Sequence, residues 1–74
     1  MKNPNHNKIL KIFNNRCGLN PVHVAEHIHH ILPRGAGGKD DLDNIIPLCS
    51  KCHGKIHREG TRKWRKHLAE TLRQ

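Results

Sequence analysis

Tyrosine is missing from these 74 residues, and the remaining aromatic complement is one Trp and one Phe. Only 34% of the chain is hydrophobic. A core that thin contributes little stability, so a bound metal, disulfides or a partner is expected to assist it. Cysteine is limited to three, an odd number that argues against a closed disulfide framework. No apolar run approaches the roughly 18 residues a membrane crossing requires, and Lys11 interrupts the Ile9–Phe13 stretch, so no signal-peptide pattern forms. The expectation is a cytoplasmic protein with no membrane partner. Acidic residues are scarce as well: six Asp and Glu face 14 Lys and Arg, a net charge of +8. On so small a chain that imbalance favours a polyanionic partner, with nucleic acid preferred over a role for charge in solubility alone.

What the chain does have is histidine. Of eight, five fall between Glu26 and His57 (His27, His29, His30, His53 and His57), together with the pair Cys49-x-x-Cys52 and three aspartates, Asp40, Asp41 and Asp43. Packing alone does not account for that density of metal-capable groups. A Cys-x-x-Cys pair among histidines points to zinc in a reducing compartment.

Residues 1–7 are polar and read as frayed. Lys8–Asn15 reads as a short helix, with Ile9, Ile12 and Phe13 on one face. After a turn over 18–21, Val22–Ile31 is rich in β-branched residues and reads as a strand ending near His30. Pro33 stops it. Arg34–Asp43, with three glycines and three aspartates, reads as a loop. Ile45–Leu48 is a second short strand, made irregular or an edge by Pro47. Ser50 is placed to cap a helix carrying Cys52, His53, Ile56 and His57, closed by Gly60. Thr61 then caps a last helix whose apolar stripe is Trp64, Leu68 and Leu72. Neighbouring residues of a strand point to opposite faces, so His29 and His30 cannot normally bind one ion together. One ring is free to hold a metal while the other faces a water, and the helix from Ser50 returns His53 to the strand end.

The text IHHILPRGAGG, DLDNIIPLC and CHGKIH resembles the HNH endonucleases, whose core is a ββα-metal (His-Me) finger; the resemblance covers roughly residues 17–57. It implies an α+β fold, a small ββα-metal finger with flanking N- and C-terminal helices. The whole of 1–74 is read as one HNH nuclease domain, with core 17–57 and a basic C-terminal helix over 61–73. By the same resemblance His30 is the general base, an imidazole largely neutral at pH 7. His29 and His53 hold one divalent ion at the scissile phosphate. Asn44 fixes the loop and the orientation of His30. The implied products carry a 5′-phosphate and a 3′-hydroxyl. Many members of the family place Asp where His29 stands. Two imidazoles favour softer ions than magnesium, so the cofactor is left open among Mg, Mn, Ni, Co and Zn. His57, one helical turn after His53, is an alternative ligand or a phosphate contact. His6 and His67 read as surface residues.

Family members often carry a second Cys-x-x-Cys upstream. Here Cys17 stands for half of it, and the position three before is Asn14, a poor zinc ligand. Cys17, Cys49 and Cys52 therefore offer three thiolates for a structural zinc. His23 is the nearest fourth ligand, with His27 or a water as alternatives.

For nucleic-acid contacts the candidates are Arg34, Lys55, Arg58, Arg62, Lys63, Arg65 and Lys66, all suited to phosphates and none to reading bases. The functional expectation is metal-dependent hydrolysis of DNA phosphodiesters (RNA stays open) with little sequence specificity. The rival is a non-catalytic zinc-binding module that holds nucleic acid through its last helix. A toxin-type nuclease shares the chemistry of the first reading.

Overall fold

Short apolar segments separated by Gly, Pro and Asn leave room for only short elements here. In the computed structural model, which describes residues 4–73, they are α1 (Pro4–Ile12), β1 (His27–His30), β2 (Ile45–Leu48), α2 (Ser50–Glu59) and α3 (Thr61–Arg73). The strands pair antiparallel in the register His27↔Leu48, Ile28↔Pro47, His29↔Ile46 and His30↔Ile45. The result is a small α+β fold in which a two-stranded ribbon leads directly into α2.

Two expected elements take other bounds. The first helix begins at Pro4, inside the segment expected to fray; residues 1–3 lie outside the described residues. Proline suits a first helical position because its missing N–H would have no partner there and its φ is already helical. The same helix ends at Ile12 rather than Asn15. Asn14 and Asn15 take left-handed φ of 55° and 59°, a conformation that Asn tolerates better than most residues, and the Asn15 amide donates to the Leu10 carbonyl at 2.7 Å.

The first strand is likewise confined to His27–His30 rather than Val22–Ile31. Its β-branched start has no strand to pair with, since β2 offers four residues. Val22 and Val24 are 79% and 56% exposed, with a single bridge from Val24 to Arg16. In their place the chain makes a turn in which the His23 amide donates to the Asn20 carbonyl at 3.0 Å, and the Cys17 amide donates to the His23 carbonyl at 2.9 Å.

Every residue of β2 is buried. Ile46, Leu48, Ile56 and Leu68, all fully buried, form the core with Cys17, Ile31 and Cys49, and Phe13, Leu19, Trp64 and Leu72 pack around its edge. The stripe of α3 therefore faces inward as its spacing indicates. The α2 terminus differs in one respect: Cys49, not Ser50, is the capping residue, its Sγ accepting from the Cys52 amide at 3.4 Å. Ser50 is the first helical residue, and its hydroxyl donates to Glu26 at 2.7 Å.

The loop between the strands is held firmly. A 3-10 turn at Arg34–Ala36 ends on Gly37 at φ 94°. Gly38 passes so close to the Leu32 carbonyl that an added Cβ would lie 1.7 Å from its oxygen, which excludes any other residue. The Asn44 side chain closes the loop: its Oδ1 accepts from the Leu32 amide at 2.8 Å, and its Nδ2 donates to the carbonyls of Leu32 (3.1 Å) and Lys39 (2.8 Å).

Candidate metal and active site

The alternation of β1 sends His29 and His30 apart. His29 turns inward under α2. His53 and His57, four residues apart on that helix, meet it there, with ring centroids 5.4 and 5.9 Å from that of His29 and 4.5 Å from each other. One ring nitrogen from each of the three lies within 4.8 Å of the others, and the Nε2 atoms of His53 and His57 are 3.1 Å apart. His29 Nε2 is buried and has no hydrogen-bond partner among the described residues. A buried imidazole nitrogen without a partner is costly, and a cation between the three rings would satisfy it. The donor set fits a divalent metal on that observation.

Charge works in the same direction. Burial, followed by the neighbouring His53, His57 and His30, lowers the His29 pKa to about 4. Burial, then His57 and His27, lowers His53 as well. Both rings are thus neutral near pH 7, the form that presents a lone pair to a metal. His27 stacks on His53 at 4.9 Å and its Nε2 is 3.3 Å from Ser50 Oγ, which places it beside the trio rather than in it.

His30, the next residue of β1, lines a shallow cleft together with His29, Pro33, Arg34, His53, His57 and Thr61. Its Nε2 contacts Asp40 Oδ1 at short range. Arg34 donates from one terminal nitrogen to both Asp40 oxygens at 3.0 Å. His6 Nε2, from α1, is 3.2 Å from the same Oδ1, and Asn5 Nδ2 donates to the Asp40 carbonyl at 2.8 Å. Bonds from His30, Arg34 and His6 hold the Asp40 carboxyl well below the usual carboxylate range.

This corner departs from the sequence reading in two ways. His6 is not a plain surface residue but a contact of Asp40 in the loop between the strands, 34 residues away along the chain. The Asn44 side chain bonds to the loop backbone and not to the His30 ring, whose Nε2 instead meets Asp40. No sequence signal singled out Asp40 among three loop aspartates, and only tertiary packing brings His6 to it.

Cys17, Cys49 and Cys52 form a second donor set, their sulfurs within 4.8 Å of one another. Backbone amides point at these sulfurs: Asn20 N to Cys17 Sγ and Cys52 N to Cys49 Sγ, both 3.4 Å. Burial, reinforced by the Cys49 and Cys17 thiols, pushes Cys52 up to about 12. At Cys17 burial acts in the same sense, but the amides of Cys49, Asn20 and Leu19 outweigh it and the thiol is lowered. Three close thiols cannot all ionise without a cation among them, and such a cradle suits zinc. His23 Nδ1 approaches from the Cys49 side, 3.5 Å from its Sγ, about the spacing of a nitrogen and a sulfur sharing one tetrahedral zinc at ~2.0 and ~2.3 Å.

The expected phosphate contacts scatter around this core. Lys55, Arg58, Arg62, Lys63 and Lys66 are exposed on α2 and α3. The Lys55 ammonium sits 5.6 Å over the Trp64 ring and Lys63 lies 3.6 Å from Glu59. Arg65 is half-buried, its Nε without a hydrogen-bond partner among the described residues, and Arg34 is occupied by Asp40.

A ββα unit closed around a histidine trio, with a fourth histidine turned to a cleft, is the arrangement of a ββα-metal finger. The family model for HNH endonuclease matches residues 15–59, more than half of the chain. The chain belongs to the HNH endonuclease family. Over 47 residues it is 43% identical to the type IV methyl-directed restriction enzyme EcoKMcrA of Escherichia coli, covering 55% of this chain and 17% of that protein. Over 54 residues it is 53% identical to the probable mobile endonuclease C of Enterobacteria phage T4, covering 57% of this chain and 26% of the relative. A 30-residue stretch is 43% identical to anaredoxin of a Nostoc species, 40% of each chain. The chain thus spans well under half the length of these relatives. Helix α1 lies outside the matched residues. No helix among the described residues is long and apolar enough to cross a membrane.

Proposed function

We propose that this chain is a metal-dependent endonuclease that hydrolyses DNA phosphodiester bonds with little sequence preference of its own, acting as one HNH domain over residues 1–74 in the cytoplasm of a bacterial or phage-infected cell. The observation that carries the reading is the split of neighbouring histidines: His29 joins His53 and His57 in a three-nitrogen set, while His30 is left free of it and faces a cleft.

In this reading His29, His53 and His57 hold the catalytic ion, and His57 is a ligand rather than a phosphate contact. Three imidazoles suit Mn, Ni, Co or Zn better than Mg. Such an ion, when bound, polarises the phosphate and offsets charge on the leaving oxygen. His30 takes the proton of the attacking water. Its Nε2 is engaged by Asp40, so Nδ1 is the nitrogen left to accept that proton. Asn44 keeps the loop closed so that His30 stays at the cleft. Cys17, Cys49 and Cys52, with His23 as fourth ligand, hold a structural zinc that supplements the small core. Lys55, Arg58, Arg62, Lys63 and Lys66 hold the substrate by its phosphates. Arg65 and Arg34 add less, the first half-buried and the second engaged by Asp40.

Nicking of supercoiled plasmid in manganese tests the reading, with the native chain beside His30→Ala and with DNA binding measured in parallel. Native cutting, abolished in the variant while binding persists, is the expected result. DNA binding by the native chain without cutting favours the rival reading, a zinc-dependent nucleic-acid-binding module. The same assay on single-stranded RNA decides between the two substrates.

A further inference from the structure

The His6, His30 and Asp40 donors also lie within 4.8 Å of one another. Two histidines and a carboxylate invite a second metal. Yet Arg34 already places a guanidinium nitrogen 3.0 Å from both carboxylate oxygens, so the counter-cation is present and the carboxylate is spoken for. A more specific use of the cluster follows from what surrounds His30.

We infer that Asp40 is the positioning residue of the His30 base, and that α1, although outside the family-matched segment, is part of the active site because it holds Asp40 in place. The inference rests on the nuclease reading of His30. An ionised carboxylate is an acceptor only, so its contact with His30 Nε2 requires that nitrogen to carry the hydrogen. The tautomer follows: Nε2–H donates to Asp40, which leaves Nδ1 as the nitrogen with the free lone pair. Arg34 Nε, 3.4 Å from the same Nε2, cannot then donate to it and serves Asp40 through its terminal nitrogen instead. Asp40 is itself fixed from three directions. Arg34 spans both oxygens, His6 Nε2 stands 3.2 Å from Oδ1, and Asn5 Nδ2 holds the Asp40 backbone carbonyl at 2.8 Å. Asn44 pins the preceding residue through the Lys39 carbonyl at 2.8 Å. Removing the carboxylate leaves His30 in place but frees its ring to populate both tautomers and to turn. The imidazoles of His29, His53 and His57 line the same cleft but make no hydrogen bond to Asp40, whose side-chain partners are His30, Arg34 and His6.

The test uses the full chain with Asp40→Asn, Asp40→Glu and His6→Ala. Imidazole nitrogen-15 shifts of His30 report the tautomer at neutral pH. Isothermal titration with manganese reports the metal site, and plasmid nicking reports kcat and KM. For Asp40→Asn the expected results are a mixed His30 tautomer, a kcat lower by roughly 10- to 100-fold, and KM and manganese affinity within about twofold of native. That loss is smaller than the ~10⁴ seen for a buried triad carboxylate, since water reaches Asp40. Asp40→Glu restores most of the Nε2–H form and most of kcat. His6→Ala gives a smaller shift in the same sense. A His30 that stays Nε2–H in Asp40→Asn overturns the inference, and so does a manganese affinity that falls in step with kcat, which would mark Asp40 as merely structural. If the native chain cuts nothing, the nuclease reading fails while the tautomer measurement still decides what Asp40 does to His30.

Discussion

His29 ties stability to metal binding more tightly than any other residue. Its Nε2 is buried without a partner among the described residues, and an orphaned polar group of that kind costs about 1–3 kcal/mol. The metal-free fold carries that cost, and a cation among His29, His53 and His57 removes it. Binding to the folded state alone at a hundredfold excess over Kd adds about 2.7 kcal/mol. For a chain of this size each kcal/mol moves Tm by about 4–8 °C, so saturating manganese is expected to raise Tm by about 10–20 °C. Manganese is the appropriate probe because it binds thiolates poorly and leaves the cysteine set alone. His29→Leu makes the prediction two-sided. It deletes the unpartnered nitrogen, so the metal-free variant melts at or above the metal-free native chain, while its manganese-dependent rise disappears. Thermal unfolding followed by circular dichroism, with and without manganese, reads both. A His29→Leu variant that keeps the full rise, or one that loses several kcal/mol without metal, would refute the assignment of that nitrogen as a waiting ligand.

Other expectations can be checked with ordinary assays. In the metal-free chain the folded His29 pKa of about 4 lies below the ordinary 6.5, so between these values the unfolded state binds more protons. Stability is then lost as pH falls from about 6.5 to about 4, by at most about 3 kcal/mol, and urea melts at stepped pH should show this slope in the native chain but not in His29→Leu. Leu68 is fully buried in the same core cluster as Ile56 and Leu48; Leu68→Ala is expected to cost about 2–5 kcal/mol, a large share of the stability of a small domain, visible as a lower urea midpoint. The five cations proposed as phosphate contacts, Lys55, Arg58, Arg62, Lys63 and Lys66, predict a log–log salt slope for DNA binding of about −4 to −5, and Lys55→Ala with Arg58→Ala should flatten it by about 2 if both touch phosphates.

Local signals carried the second half of the fold. Ile45–Leu48, the helix from Ser50 and the helix from Thr61 were legible because apolar spacing, Pro47 and Gly60 all agree with the packing that forms. The first half was less legible. Val22 and Val24 have the composition of a strand, but a strand needs a partner, and β2 is only four residues long. Pro4 could be read as a helix start, yet what anchors that start is Asn5 and His6 meeting Asp40 across 34 or more positions. The site followed the same division. Period-two alternation separated His29 from His30, and period-four spacing brought His57 to His53. Asp40 stayed hidden because nothing in a run of loop aspartates marks the one that folds back onto a histidine.

If His30 removes a proton from water while His29, His53 and His57 hold the ion, free imidazole is expected to replace a deleted His30 side chain. His30→Ala should retain manganese affinity and DNA binding, lose strand cutting, and regain a measurable fraction of it in proportion to added imidazole. Cutting by the variant at the native rate, or an intact metal site with no response to imidazole at any concentration, would contradict it.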